Sequence, residues 1–354
     1  MSGYEIIVSK ETWDQKLEPY RKQVYQTKKA GHFLRNRLVA NEFVELDTIS
    51  FLQELINTKR PQIFAESAVA GNGSDWNQVE LSILGDVSIA TPVTIFDNGR
   101  HHHPDVLDPP FRGTLLFTPG ALLKNGRGVT PCDFGAVTSN GQLDSEKYFK
   151  LYERRLLPAL QYANRVSRAN NKKALITIPG LGCGVFAGKF KGQLSERLNH
   201  TLRRILEKHG GSLNDIQAVY FDPYSSCANE RYEIGEISYR VRPLLQGNEQ
   251  KPQLCYPTAY EEAGDDFSNC EFFSFVAWDH VSWPGNDFYI GSRATDDGVK
   301  GAATDVMQVM TGLEGYYSPV KNKYLQPIGF KNWDDVIGKY ELEIRLSSSN
   351  FFVI

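Results

Sequence analysis

Apolar residues recur at three- to four-residue steps through HFLRNRLVANEFVELDTISFLQELI, at Phe33, Leu34, Leu38, Phe43, Val44, Phe51, Leu52 and Leu55. That spacing predicts two or three helices over residues 11–60, forming a cap packed on the core. Further on the rhythm changes. VSIATPVTIFD (87–97) and GTLLFTPG (113–120) have strand patterning, and residues 145–170 place Tyr148, Leu151, Tyr152, Leu156 and Leu160 on one helical face. ALITIPG (174–180) is a short buried strand, residues 193–211 a helix closed by a glycine pair, and IQAVYFDPY (216–224) another strand. Residues 225–268 are polar and read as an excursion or linker; EFFSFVAWD (271–279) resumes the strands, and residues 298–312 read as a helix closed by Gly312. The tail ELEIRLSSSNFFVI holds a last strand-like run. Strands separated by helix-length segments predict an α/β fold with a mixed or largely parallel sheet. The expected division is a helical cap over 1–70 and an α/β domain over 71–354.

Composition narrows the function classes. The 354 residues carry a formal charge of −3, so no basic excess points to nucleic acid or an anionic membrane as partner. The N-terminus has no apolar core of a signal peptide, and no apolar run approaches the roughly 18–20 residues of a membrane span. Five scattered cysteines without a CxxC suggest free thiols in a reducing compartment, the cytoplasm of the producing cell or of a host cell receiving an injected effector.

Ligands of open α/β sheets sit beyond the carboxyl ends of the strands. Three motifs stand there. The first is TPGALL, where Thr118 and Gly120 either face a ribose or phosphate or form a plain turn. The second, IPGLGCGVFAGKFKG, carries Gly180, Gly182, Gly184, Gly188 and Gly192 between a strand and a helix. Glycines let a backbone approach a ligand, and successive N–H groups there suit a phosphate; no GK[ST] closes the loop as in a Walker motif, and a tight strand–helix turn is the plain alternative. The third stretch runs from Trp278 to Gly298, with Asp279, Asp287 and Asp297 among Trp283, Pro284 and Phe288. Aspartates cap turns and helices. Grouped carboxylates also suit glycosidic chemistry, one activating water and another protonating a leaving group, and crowding raises at least one pKa. They equally suit Mg²⁺ or Ca²⁺, though no EF-hand spacing is present.

Other candidates weigh less. His101, His102 and His103 alternate in direction on an extended chain and read as a solvated loop. His200 and His209 fall on a basic helix face. His280 adjoins Asp279, although strand neighbours face opposite ways. Cys183 lies near a helix N-terminus, where a thiol pKa drops, but it has no identifiable histidine base. Phe117, Phe186 and Tyr224 are the aromatic candidates to face an adenine.

The loop with Pro179, Gly182, Cys183, Gly184, Val185 and Phe186 resembles the second ligand loop of macrodomains, with Cys-Gly where that family usually has Ser/Thr-Gly. DDGVKGAA is similar to the macrodomain glycine-rich helix start, yet it follows the glycine loop instead of preceding it, which suggests a permuted order. The eight-and-ten spacing of Asp279, Asp287 and Asp297 resembles the MavL-like family of macrodomain-like ADP-ribosyl hydrolases over about residues 80–330. The resemblance implies a macrodomain-like mixed sheet flanked by helices. It implies removal of ADP-ribose from arginine on proteins, ubiquitin above all, without a cofactor or metal. By the same resemblance the three aspartates are catalytic, Asp287 and Asp297 nearest the chemistry and Asp279 an orienter. Pro179, Gly180, Gly182, Cys183, Gly184, Val185 and Phe186, with Thr118 and Gly120, bind ADP-ribose. The macrodomain asparagine pair is absent, so aspartates replace it. A module that reads ADP-ribose without cleaving it and a metal-dependent hydrolase are the competing readings.

Overall fold

The apolar runs at 174–179 and 272–278 are nearly continuous because both faces of the strands they form are covered. The computed structural model describes residues 3–347 and 349–354. Met1 and Ser2 of the expected cap, and Ser348 of the expected C-terminal run, lie outside the described residues. The main sheet contains β1 (Glu5–Val8), β2 (Val87–Asp97), β3 (Val106–Pro119), β4 (Lys173–Pro179), β5 (Ile216–Asp222), β6 (Glu230–Ile234), β7 (Ile237–Val241), β8 (Cys270–Trp278) and β9 (Phe351–Val353). Their order is β9-β1-β2-β3-β8-β4-β5-β7-β6. From β3 to β7 all neighbours are parallel; β1–β2, β2–β3 and β6–β7 are antiparallel. This is a mixed α/β sheet flanked by helices, a macrodomain-like architecture.

Alternation along β8 divides the core. Phe272, Val276 and Trp278 join the apolar layer under α1 (Glu18–Thr27), α2 (His32–Ala40), α3 (Thr48–Ile56) and α4 (Gln78–Leu84). Phe273 and Phe275 face the opposite layer, under α5 (Ser145–Ala169) and α6 (Leu194–His209). The late strand β8 inserts between β3 and β4, parallel to both, so the glycine loop and the aspartate stretch leave the same sheet edge.

Several expectations are redrawn. β1 pairs within the main sheet, and the N-terminal helices share one apolar cluster with residues 254–344, so packing draws no line at residue 70. The polar excursion contains the hairpin β6–β7, which extends the sheet edge. β3 begins at Val106 instead of Gly113. The helix expected over 298–312 is two, α7 (Asp296–Ala303) and α8 (Val306–Thr311). The break has a tertiary cause: Asp305 turns its carboxylate to accept the Thr94 N–H at 2.7 Å.

Candidate active site

β3, β8, β4 and β5 end side by side at Pro119, Trp278, Pro179 and Asp222. A cavity of about 650 Å³ lies across the ends of the last three, a volume suited to a nucleotide-sized ligand. Its walls come from the glycine loop, the turn after β5, the start of α7 and the segment after α3.

The glycine loop forms one wall. Pro179, Gly180, Gly182, Cys183, Gly184, Val185 and Phe186 all line the cavity. Gly184, Val185 and Phe186 open a short 3₁₀ turn, and their N–H groups donate to no backbone group among the described residues. Such a run suits anionic oxygens. Lys191 and Ser195 stand on the same wall, Ser195 in the first turn of α6. Cys183 departs from the expected low thiol pKa: burial pushes it up to about 12, and its Sγ donates to Leu181 O at 3.6 Å.

Thr118 and Gly120 lie outside the cavity. Thr118 is fully buried, its hydroxyl 3.0 Å from that of Ser88. Gly120 packs on the glycine loop from behind: a Cβ there would stand 2.3 Å from Gly182 N, so only glycine permits this approach. Arg155 Nη1 donates to Gly120 O at 3.1 Å, and Asp133 accepts the Leu122 N–H at 2.9 Å. Tyr152 accepts the Ala121 N–H and donates to Leu181 O, buckling the two loops together. The TPGALL loop therefore buttresses the ligand loop.

The opposite wall gathers the three aspartates around one turn. Asp279 Oδ1 accepts the N–H groups of Val281 and Ser282, both at 2.7 Å; Oδ2 accepts Ser282 Oγ at 2.5 Å and Asn286 Nδ2 at 3.0 Å. Asp297 Oδ1 accepts the Gly285 N–H at 2.6 Å, while its buried Oδ2 has no hydrogen-bond partner. Burial, then the charge of Asp279, pushes the Asp297 carboxyl well above the usual range. Asp279 and Asp297 line the cavity, and Asp287 does not. The Asp287 carboxylate accepts the Ala294 N–H at 3.0 Å, the Thr295 N–H at 3.3 Å and the Thr295 hydroxyl. A Cβ on Gly298 would stand 2.1 Å from Asp287 Oδ1, so α7 starts directly against this carboxylate. Of the three acids, Asp287 holds the turn from behind the wall.

Further residues sit where the sequence gave little sign. Phe64 and Glu66 line the cavity beside Asp279. Ile63 N–H donates to Asn286 Oδ1 at 3.0 Å and Asn286 Nδ2 to Ile63 O at 2.9 Å, tying this segment to the aspartate turn. Burial, reinforced by Asp279, raises the Glu66 pKa. At the other end, Lys300 Nζ donates to Asp296 at 2.9 Å and to Gln253 Oε1 at 2.7 Å; Asp296 and Gln253 also line the cavity. His101 stands on the wall, a position the solvated-loop expectation for the histidine run did not include. Phe186 and Tyr224 line the cavity, whereas Phe117 is a fully buried core residue packed on Trp278. Tyr224 holds a φ of +64°, an uncommon backbone for tyrosine. His280 is fully buried beside Asp133, away from the cavity, and burial lowers its pKa to about 4. Among the described residues no group of three or more His, Cys, Asp or Glu is arranged to hold a metal ion.

No curated protein matches the chain. The model of one family, described as macrodomain effector MavL, matches residues 4–330. By that match, which takes in the glycine loop and the aspartate turn, the chain belongs to the MavL macrodomain effector family, and the family points to the binding or hydrolysis of ADP-ribose.

Proposed function

We propose that the protein hydrolyses the N-glycosidic bond between ADP-ribose and arginine on a modified protein, ubiquitin being the substrate to test first. The observation that carries this reading is the buried, unpartnered Asp297 Oδ2 on the cavity wall beside Asp279. Burial and the neighbouring Asp279 make this carboxyl hold its proton more readily than a free one, as a proton donor must, whereas a site that only bound a diphosphate would gain nothing from crowded acids.

The diphosphate lies along the N–H groups of 184–186 with Lys191 nearby, and the distal ribose reaches the aspartate turn. Asp297 donates its proton to the departing guanidine nitrogen as the bond to the anomeric carbon breaks. Asp279, fixed by four donors, orients the attacking water and takes its proton. The carbon passes through an oxocarbenium-like state that the carboxylate stabilises. Asp287 positions the turn and α7. Phe64 and Glu66 offer a guanidinium an aromatic face and a carboxylate, which favours arginine over a neutral linkage. The five unpaired cysteines suit action in a cytoplasm, the cell's own or a host's.

The test is incubation with ADP-ribosyl-arginine ubiquitin, with and without EDTA, following free ADP-ribose. Release that survives chelation supports the reading. Tight calorimetric binding of ADP-ribose with no turnover on any linkage would replace it with the non-catalytic reader, and release abolished by EDTA with the metal-dependent hydrolase.

A further inference from the structure

The segment after α3 runs against the aspartate turn. Arg60 N–H donates to Val281 O, and Trp283 N–H donates to Arg60 O, both at 2.8 Å. One residue earlier, Lys59 is buried at 3% exposure. Its Nζ donates to His280 O at 2.7 Å and lies 4.1 Å from the centroid of the Trp278 ring. The amine thus grips residues 278–280 from both sides of Asp279. A buried ammonium held by one carbonyl and one ring face is costly, and an apolar side chain of similar length would fill the space at lower cost. The carboxylates whose charges act on it are Asp279 and Asp297, the two acids of the cavity wall.

We propose that Lys59 is a positioning residue of the aspartate pair: its ammonium fixes the 278–280 peptide and with it the placing of Asp279 against Asp297. The proposal rests on the reading of these two as the reacting acids. The other charged groups around this point are Asp287 and Asp296 beside Asp297, Glu66 beside Asp279, and Asp133 with Arg155 beyond His280. His280 is neutral above about pH 4, so it does not supply the positive charge. Burial lowers the Lys59 amine to about 7, against the opposing pull of Asp279 and Asp297, so its charge changes within the working range. Above that pH the cation that holds the 278–280 peptide is lost, and turnover falls.

The test compares wild type, K59M and K59R on ADP-ribosyl-arginine ubiquitin from pH 5 to 9. Wild type should show an alkaline limb in kcat near pH 7. K59M should lose that limb and turn over at least tenfold more slowly, with KM within about threefold and a melting temperature equal to or above wild type. K59R, whose guanidinium stays charged, should move the limb beyond the range. K59M with wild-type kcat and an unchanged profile would overturn the proposal, and so would a loss of activity that follows a loss of stability. A second readout needs no turnover: the carboxyl ¹³C titration of Asp297 should move upward by about one pH unit in K59M, and an unchanged midpoint would overturn the proposal. Failure of wild type on every linkage, with the titration moving as expected, would instead sink the proposed function.

Discussion

The two walls of the cavity are built by opposite means. The glycine loop offers main-chain N–H groups and few side chains; Val185 stands 60% exposed and Gly184 has open space where a Cβ would go. The aspartate turn is buried: Asp279, Asp287 and Asp297 are 4%, 1% and 2% exposed, and all but one of their oxygens accept hydrogen bonds. A wall of backbone donors can conform to a flexible diphosphate with little desolvation. A wall of buried carboxylates must be locked by its surroundings, because each unpartnered oxygen is expensive. The one oxygen of these three acids left free is the Asp297 Oδ2 to which the proposed function assigns the proton. Binding and turnover should separate along this line.

The largest effects test that separation. D297N and D279N should each lower kcat by about 10³-fold, while the calorimetric Kd for ADP-ribose stays within about fivefold because the glycine loop is untouched. If either variant lost binding in proportion to turnover, the two walls would not be functionally distinct. The converse variant is V185D. Val185 opens the 3₁₀ turn, lines the cavity and is 60% exposed, so the side chain fits, but its charge meets the diphosphate. The Kd for ADP-ribose should rise about tenfold or more with the melting temperature unchanged; unaltered affinity would remove the diphosphate from this loop.

Asp287 sharpens the comparison within one wall. Its carboxylate is tied to Ala294 and Thr295, so D287N loses charge-assisted bonds and should cost about 1–2 kcal/mol of stability. Activity should fall less than in D279N or D297N, and with a measurable drop in urea midpoint. A stable D287N protein as inactive as D297N would return Asp287 to the chemistry.

Much of this was legible in the chain. Periodicity located β2, β4, β5, β8, α5 and α6, because long apolar patterns covered on both faces leave strong signals. The glycine loop and the aspartate stretch stood at strand ends, so their shared edge followed once β8 was parallel to β4. What periodicity missed was short or long-range. β1 is four residues stabilised by pairing with β2 and β9, and the β6–β7 hairpin has alternating polar residues that resemble loop. Lys59 and Glu66 carried no motif, since tertiary contact alone brings them to Asp279; the one hint was the NTKRP break after the apolar helix α3. The place of Asp287 behind the wall was hidden for the same reason: spacing orders residues along the chain and says nothing of which side of a turn each carboxylate faces.

The smallest expected effect concerns protonation at the free oxygen. The folded Asp297 carboxyl is raised well above the ordinary aspartate value of 3.8. Between the unfolded and folded values the folded state binds more protons, so this group makes stability fall as pH rises. D297N removes that titration. His280 has the opposite slope, with a folded value of about 4 against an ordinary histidine value of 6.5, but it is present in both proteins and cancels in the difference. Lys59 stays largely charged in both states below its folded value of about 7, so it adds little there. The melting temperature of D297N minus that of wild type should therefore be near zero at pH 3.5 and grow to about 2 °C or more by pH 6.5. A difference that stays constant across this window would mean that Asp297 enters the folded state already ionised, and the proton assigned to the leaving guanidine would have to come from elsewhere on the wall, with Glu66 the next carboxyl to test.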